Sequence, residues 1–135
     1  MNSDQAIPIL VAHRGYPACY PENTLVGYEV ALQAGACYVE LDIQLSAKHT
    51  PFLCHDDNLK RLTGIDQNIT ELDDEIIKTL SIAYPKPTLA SDLIPSTTRT
   101  APFADLLSFC ALLKKWPKVK AFVEIKFESI FKFGL

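Results

Sequence analysis

The chain has no apolar run approaching the length of a membrane span, and its first residues lack the basic start and apolar stretch of a secretory signal. With neither address present, the expected compartment is the cytoplasm. A basic surplus is missing as well: 13 Lys and Arg stand against 16 Asp and Glu, for a formal charge of −3. That balance gives no electrostatic footprint for nucleic acid or an anionic lipid surface, which leaves a small molecule as the expected partner. Metal-ligand spacing is absent from the 4 cysteines. Cys19, Cys37, Cys54 and Cys110 form no CxxC pair, so free thiols are expected in place of disulfides or a zinc site. Internal repeats and low-complexity tracts are lacking too.

What the chain has is 48% hydrophobic content over 135 residues, enough for one domain with a real core and too short for two. Strand-like apolar runs alternate with helix-like ones, the order of a parallel α/β fold. A near-continuous apolar run predicts a first strand over 7–13, covered on both faces. After a loop over 16–21, Asn23 or Thr24 is placed to cap a helix that ends near Gly35, with Leu25, Tyr28 and Leu32 inward. Further strands are predicted over 38–45 and 52–55. Thr70 with Asp73 resembles a capping box, and Leu72, Ile76 and Leu80 recur on one helical stripe. The stretch 84–101, with Pro85, Pro87 and Pro95, reads as a surface connection. Pro102 then opens a helix with Phe103, Leu106, Cys110 and Leu113 inward that stops before Pro117, and 120–126 forms the last strand.

Strand alternation puts Val39, Leu41 and Ile43 on one face of the 38–45 strand and Glu40 and Asp42 on the other. Paired carboxylates inside a barrel repel and are costly to desolvate unless a cation binds them. Oxygen-only ligation favours a hard ion such as Mg²⁺ or Ca²⁺. On the last strand, Glu124 and Lys126 share a face with Phe122. The first strand ends in His13 and Arg14, and the third in His55 and Asp56, so ionisable residues collect at the C-terminal ends of strands, where α/β sheets bind ligands. Imidazoles that exchange protons near neutral pH, carboxylates that hold a metal and cations that offset phosphate charge together point to phosphoester chemistry.

The motifs HRG at 13–15, PENT at 21–24, ELD at 40–42, HDDNLKRLTG at 55–64 and VEIK at 123–126, in this order, resemble the glycerophosphodiester phosphodiesterase family. The resemblance implies a TIM-barrel-like (β/α) fold, one divalent cation (Mg²⁺ or Ca²⁺), and hydrolysis of a small-molecule glycerophosphodiester to glycerol 3-phosphate and an alcohol. It implies Glu40, Asp42 and Glu124 as metal ligands, His13 and His55 as the acid-base pair, and Arg14 and Lys126 as phosphate contacts. Glu22 and Asn23 carry two readings, caps that position the first helix or members of the site. A complete (β/α)₈ barrel takes about 250 residues, so this chain is expected to supply about half of one, with four strands. Two other functions compete with turnover. One is a fragment that binds metal or phosphate without catalysis; the other is a module that self-associates through an open sheet edge.

Overall fold

The computed structural model describes residues 9–84 and 100–134. Its elements run β1 (Val11–His13), α1 (Leu25–Gln33), β2 (Tyr38–Leu45), β3 (Pro51–Leu53), α2 (Lys60–Thr63), a 3-10 turn at Ile69–Glu71, α3 (Asp74–Ile77), β4 (Ser81–Ala83), β5 (Thr100–Pro102), α4 (Leu106–Leu113), β6 (Lys120–Ile125) and α5 (Phe127–Phe133). Among the described residues, no helix is long and apolar enough to cross a membrane.

β2 is the centre of a four-stranded sheet. Its first half pairs with β1 in parallel, with His13 opposite Glu40. Its other edge pairs in parallel with β6 from Tyr38↔Lys120 to Ile43↔Ile125. The expected α/β, TIM-barrel-like sheet of four strands is therefore present. One detail is corrected: β3 runs antiparallel to β2, with Ile43 opposite Leu53. The five residues between β2 and β3 are too few for the helical crossover that a parallel return requires.

Val39, Leu41 and Ile43 pack with Tyr28 and Leu32 of α1 and Phe109 and Leu112 of α4. Each such side chain, fully buried, contributes about 1.5 to 3 kcal/mol. Thr24 caps α1, accepting from the Gly27 N–H, and Gly35 follows the helix at φ 98°, as the sequence predicts. A second core gathers Phe52, Cys54, Leu59, Leu62, Ile69, Leu72, Ile77, Ile82 and Phe103 beside the sheet.

Three expectations are corrected. The helix expected through Leu72, Ile76 and Leu80 is broken into the 3-10 turn and one turn of α3, with Ile77 buried and Ile76 exposed. Pro102 closes β5 instead of opening a helix; α4 starts after Asp105, whose carboxylate accepts from the Ser108 N–H. That start turns Phe109 and Leu112 inward and leaves Cys110 exposed. The run before His13 is not covered on both faces, since Ile9 and Leu10 are 68% and 78% exposed. Most of the 84–101 connection, and the start of the 7–13 strand, lie outside the described residues.

Candidate active site

The middle of β2 and the end of β6 bring three acids together. Glu40 and Asp42 project from the same face of β2, and Glu124 lies opposite Asp42 across the parallel pairing. One carboxylate oxygen from each of Glu40, Asp42 and Glu124 lies within 4.8 Å of the other two. Asp42 is fully enclosed, Glu40 is half-buried and Glu124 is open to solvent.

Cations surround the acids. Arg14 Nε stands 2.9 Å from Asp42 Oδ2, although its N–H is not aligned for a hydrogen bond. Lys126 Nζ lies 2.7 Å from Glu124 Oε1 and 3.9 Å from Asp42 Oδ1. Burial, followed by the charge of Asp42, raises the Glu40 carboxyl above its usual range, whereas Lys126 pulls Glu124 below it. Asp42 Oδ1 is buried with no hydrogen-bond partner. A buried carboxylate oxygen left unsatisfied is costly, and a hard cation is the ligand that would satisfy it together with Glu40 and Glu124. The donor set therefore fits the divalent ion implied by the sequence.

The loop after β1 is shaped to serve this cluster. Arg14 and Gly15 both take positive φ, 56° and 89°, which turns the chain sharply so that the Arg14 N–H donates to Glu40 Oε2. A Cβ on Gly15 would sit 3.0 Å from the backbone of Gly27 and Tyr28, so only glycine lets this loop rest on α1. His13 Nε2 is 3.6 Å from Glu40 Oε2, with its ring largely in solvent.

Asn23, also at positive φ, donates from its amide to Asp42 Oδ2 at 3.0 Å and accepts from the Asp42 N–H at 3.2 Å. The Tyr28 hydroxyl donates to the same Asn23 oxygen at 2.8 Å. Of the two readings open for Asn23, membership of the site is the one its contacts support, because Thr24 does the capping. Glu22 is likewise turned from the helix toward Arg14 and Arg61.

All seven residues expected from the motifs flank one end of the sheet, but among the described contacts His55 bonds to none of Glu40, Asp42 and Glu124. Its Nδ1 meets Asp56 Oδ1 at 2.6 Å. Asp56 and Arg61 were not singled out as site residues from sequence, although both lie inside the HDDNLKRLTG stretch.

Residues 13–131 match the Glycerophosphoryl diester phosphodiesterase family. A macaque (Macaca fascicularis) glycerophosphodiester phosphodiesterase domain-containing protein 4 is 47% identical over 58 residues, 43% of this chain and 9% of that protein. A Bacillus altitudinis glycerophosphodiester phosphodiesterase is 43% identical over 56 residues, 42% of this chain and 23% of that protein. The solved Thermotoga maritima glycerophosphodiester phosphodiesterase superposes with a TM-score of 0.70 at 27% identity, covering 96% of this chain and 49% of its own. An Oleispira antarctica phosphodiesterase, solved in complex with the product sn-glycerol-3-phosphate, gives 0.73 at 27% identity, covering 89% and 45%. The chain thus spans about half the length of these solved structures and less of the curated relatives.

Proposed function

The chain belongs to the glycerophosphoryl diester phosphodiesterase family, and from that premise we propose that its site serves metal-dependent hydrolysis of glycerophosphodiesters to glycerol 3-phosphate and an alcohol. The observation that carries the reading is the Glu40, Asp42 and Glu124 cluster, with the orphaned Asp42 Oδ1 at its buried end. These three residues would hold one Mg²⁺ or Ca²⁺, which when bound supplies charge to polarise a phosphoryl oxygen and lowers the pKa of an attacking hydroxyl.

Arg14 and Lys126 already lean on the carboxylates and carry the positive charge that a phosphodiester anion requires. His13 and His55 are the proton carriers: one imidazole accepts the proton of the attacking hydroxyl while the other protonates the departing alcohol. The product bound in the Oleispira antarctica relative supports glycerol 3-phosphate as the shared product.

A second reading rests on β6, which is exposed along its whole length. A chain with that open strand would bind cation and phosphate without turnover, or associate through the edge. Assay of the purified chain for glycerol 3-phosphate release, with and without a chelator, separates the two. Chelator-sensitive release supports hydrolysis. Cation binding without release supports the second reading, and chelator-insensitive release contradicts the metal role.

A further inference from the structure

Arg61 lies at the start of α2, away from the sheet strands that carry the acids, yet all of its guanidinium nitrogens are engaged near the site. Nη1 and Nη2 donate to Glu22 Oε2 and Oε1, both at 2.8 Å, in the parallel fork that arginine makes with a carboxylate. Nε donates to Asp56 Oδ2 at 2.6 Å. The other Asp56 oxygen, Oδ1, faces His55 Nδ1 at 2.6 Å. A chain of contacts thus runs Glu22, Arg61, Asp56, His55. Its far end is fixed, because the Glu22 side chain is 8% exposed and also meets Arg14 Nη1 at 3.4 Å.

We infer that Arg61 is a positioning residue, which by gripping Glu22 and Asp56 together holds His55 in the tautomer that carries its proton on Nδ1 and leaves Nε2 as the free acceptor. The chemistry is one of elimination. An ionised carboxylate has only acceptors, so the short His55 contact to Asp56 Oδ1 requires the hydrogen to sit on Nδ1. Asp56 is held ionised: partial burial acts to raise its pKa, but the hydrogen bonds from Arg61 and His55 outweigh it and bring it below the usual range.

The same elimination removes Arg61 from the phosphate contacts. Hydrogen bonds to Glu22 and Asp56 already occupy all three of its nitrogens, whereas Arg14, although it also stands between Glu22 and Asp42, has an Nε that donates no aligned hydrogen bond. Lysine can replace Arg61 only in part, since an ammonium keeps the charge but does not span two carboxylates with parallel donors. Asp56 then does for His55 what a ligand-orienting carboxylate does elsewhere, fixing the ring and stabilising the imidazolium that forms when Nε2 takes a proton.

Calling His55 a proton carrier rests on the hydrolase reading, so the deciding measurement is one that needs no substrate. In the full chain labelled with ¹⁵N-histidine, long-range ¹H–¹⁵N correlation at a pH where the rings are neutral reports which nitrogen of His13, His49 and His55 is protonated. His55 is expected to show a protonated Nδ1 and a bare Nε2. Asp56→Ala and Arg61→Gln should shift His55 toward a mixture of tautomers and leave His49 unchanged. Arg61→Lys should do the same to a smaller extent, with the fold checked by circular dichroism. A wild-type His55 protonated on Nε2 overturns the inference even if no variant folds, and so does an Arg61→Gln protein with an unaltered tautomer ratio. Where turnover is measurable, Arg61→Gln should lower kcat by about tenfold, part of the roughly 10² to 10⁴ that a positioned acid or base contributes, with KM little changed. A rise in KM alone would make Arg61 a substrate contact and overturn it.

Discussion

The side-chain amide of Asn23 donates to Asp42 Oδ2 at 3.0 Å, tying the loop before α1 to the most buried acid of the site. The bond occupies one oxygen of Asp42 and leaves Oδ1 without a partner, so Asn23 orients the carboxylate with one oxygen free for a cation. Asn23→Ala removes the donor and places a side chain with no local hydrogen bond at φ 55°. The expected result is a loss of about 1 to 3 kcal/mol in unfolding free energy and a roughly 10- to 100-fold weaker cation affinity, read by urea denaturation and calorimetry. Unaltered cation affinity would show that Asp42 needs no such orientation.

Stability should fall on the acid side. Glu22 and Asp56 are both held below the usual carboxylate range. In each, burial opposes ionisation, but it is outweighed by the hydrogen bond and charge of Arg61 together with Arg14 beside Glu22 and His55 beside Asp56. A depressed folded-state pKa contributes stability that is fully present above the unfolded value, about 4, and that is lost as pH falls through the lower folded value. Denaturation midpoints measured from pH 7 down to about 3 should drop most steeply below pH 4, and Arg61→Gln should flatten that drop. Parallel curves for wild type and variant would remove this cluster as the source.

The carboxylate cluster was legible in the sequence to a greater extent than the elements around it. Glu40 and Asp42 could be placed on one face because strand periodicity is rigid, and the family motifs added Glu124; β2 and β6 pair without a bulge from Tyr38↔Lys120 to Ile43↔Ile125. The second core was misread because its hydrophobic residues are satisfied by turns. Leu72, Ile77 and Ile82 bury themselves from three different local structures, and Thr70, read as half of a capping box, gives its hydroxyl to Asp57 at 2.8 Å. The Asn23 contact spans 19 residues and Arg61 reaches Glu22 across 39, distances over which side-chain pairing leaves no periodic trace. Asp56 was noted beside His55 at the end of the third strand, but nothing in the sequence paired it with Arg61.

The free edge of β6 should drive self-association. Phe122, Val123 and Ile125 are each about half exposed, and Phe127 and Phe131 on the following helix are 70% and 80% exposed. Among the described residues, β6 pairs only with β2, so its other edge presents unpaired backbone groups to solvent. Covering even a few hundred Å² at roughly 25 cal/mol per Å² is worth several kcal/mol, which a second copy of the chain pairing along β6 would supply. Light scattering at low micromolar concentration should give a mass at least twice the 15.0 kDa of the chain. Val123→Lys should reduce it; a monodisperse wild-type monomer would contradict the expectation.

Calorimetric titration of Mg²⁺ and of Ca²⁺ into the wild-type chain and into Asp42→Ala tests the central claim most directly, because it asks whether the carboxylate cluster is a cation site before any question of turnover. The wild type should bind one divalent ion per chain. Asp42→Ala, which removes the orphaned oxygen while leaving Glu40 and Glu124 in place, should bind none over the same range. Equal affinity in the two proteins, or no binding by the wild type, would contradict the assignment of Glu40, Asp42 and Glu124 as the metal site.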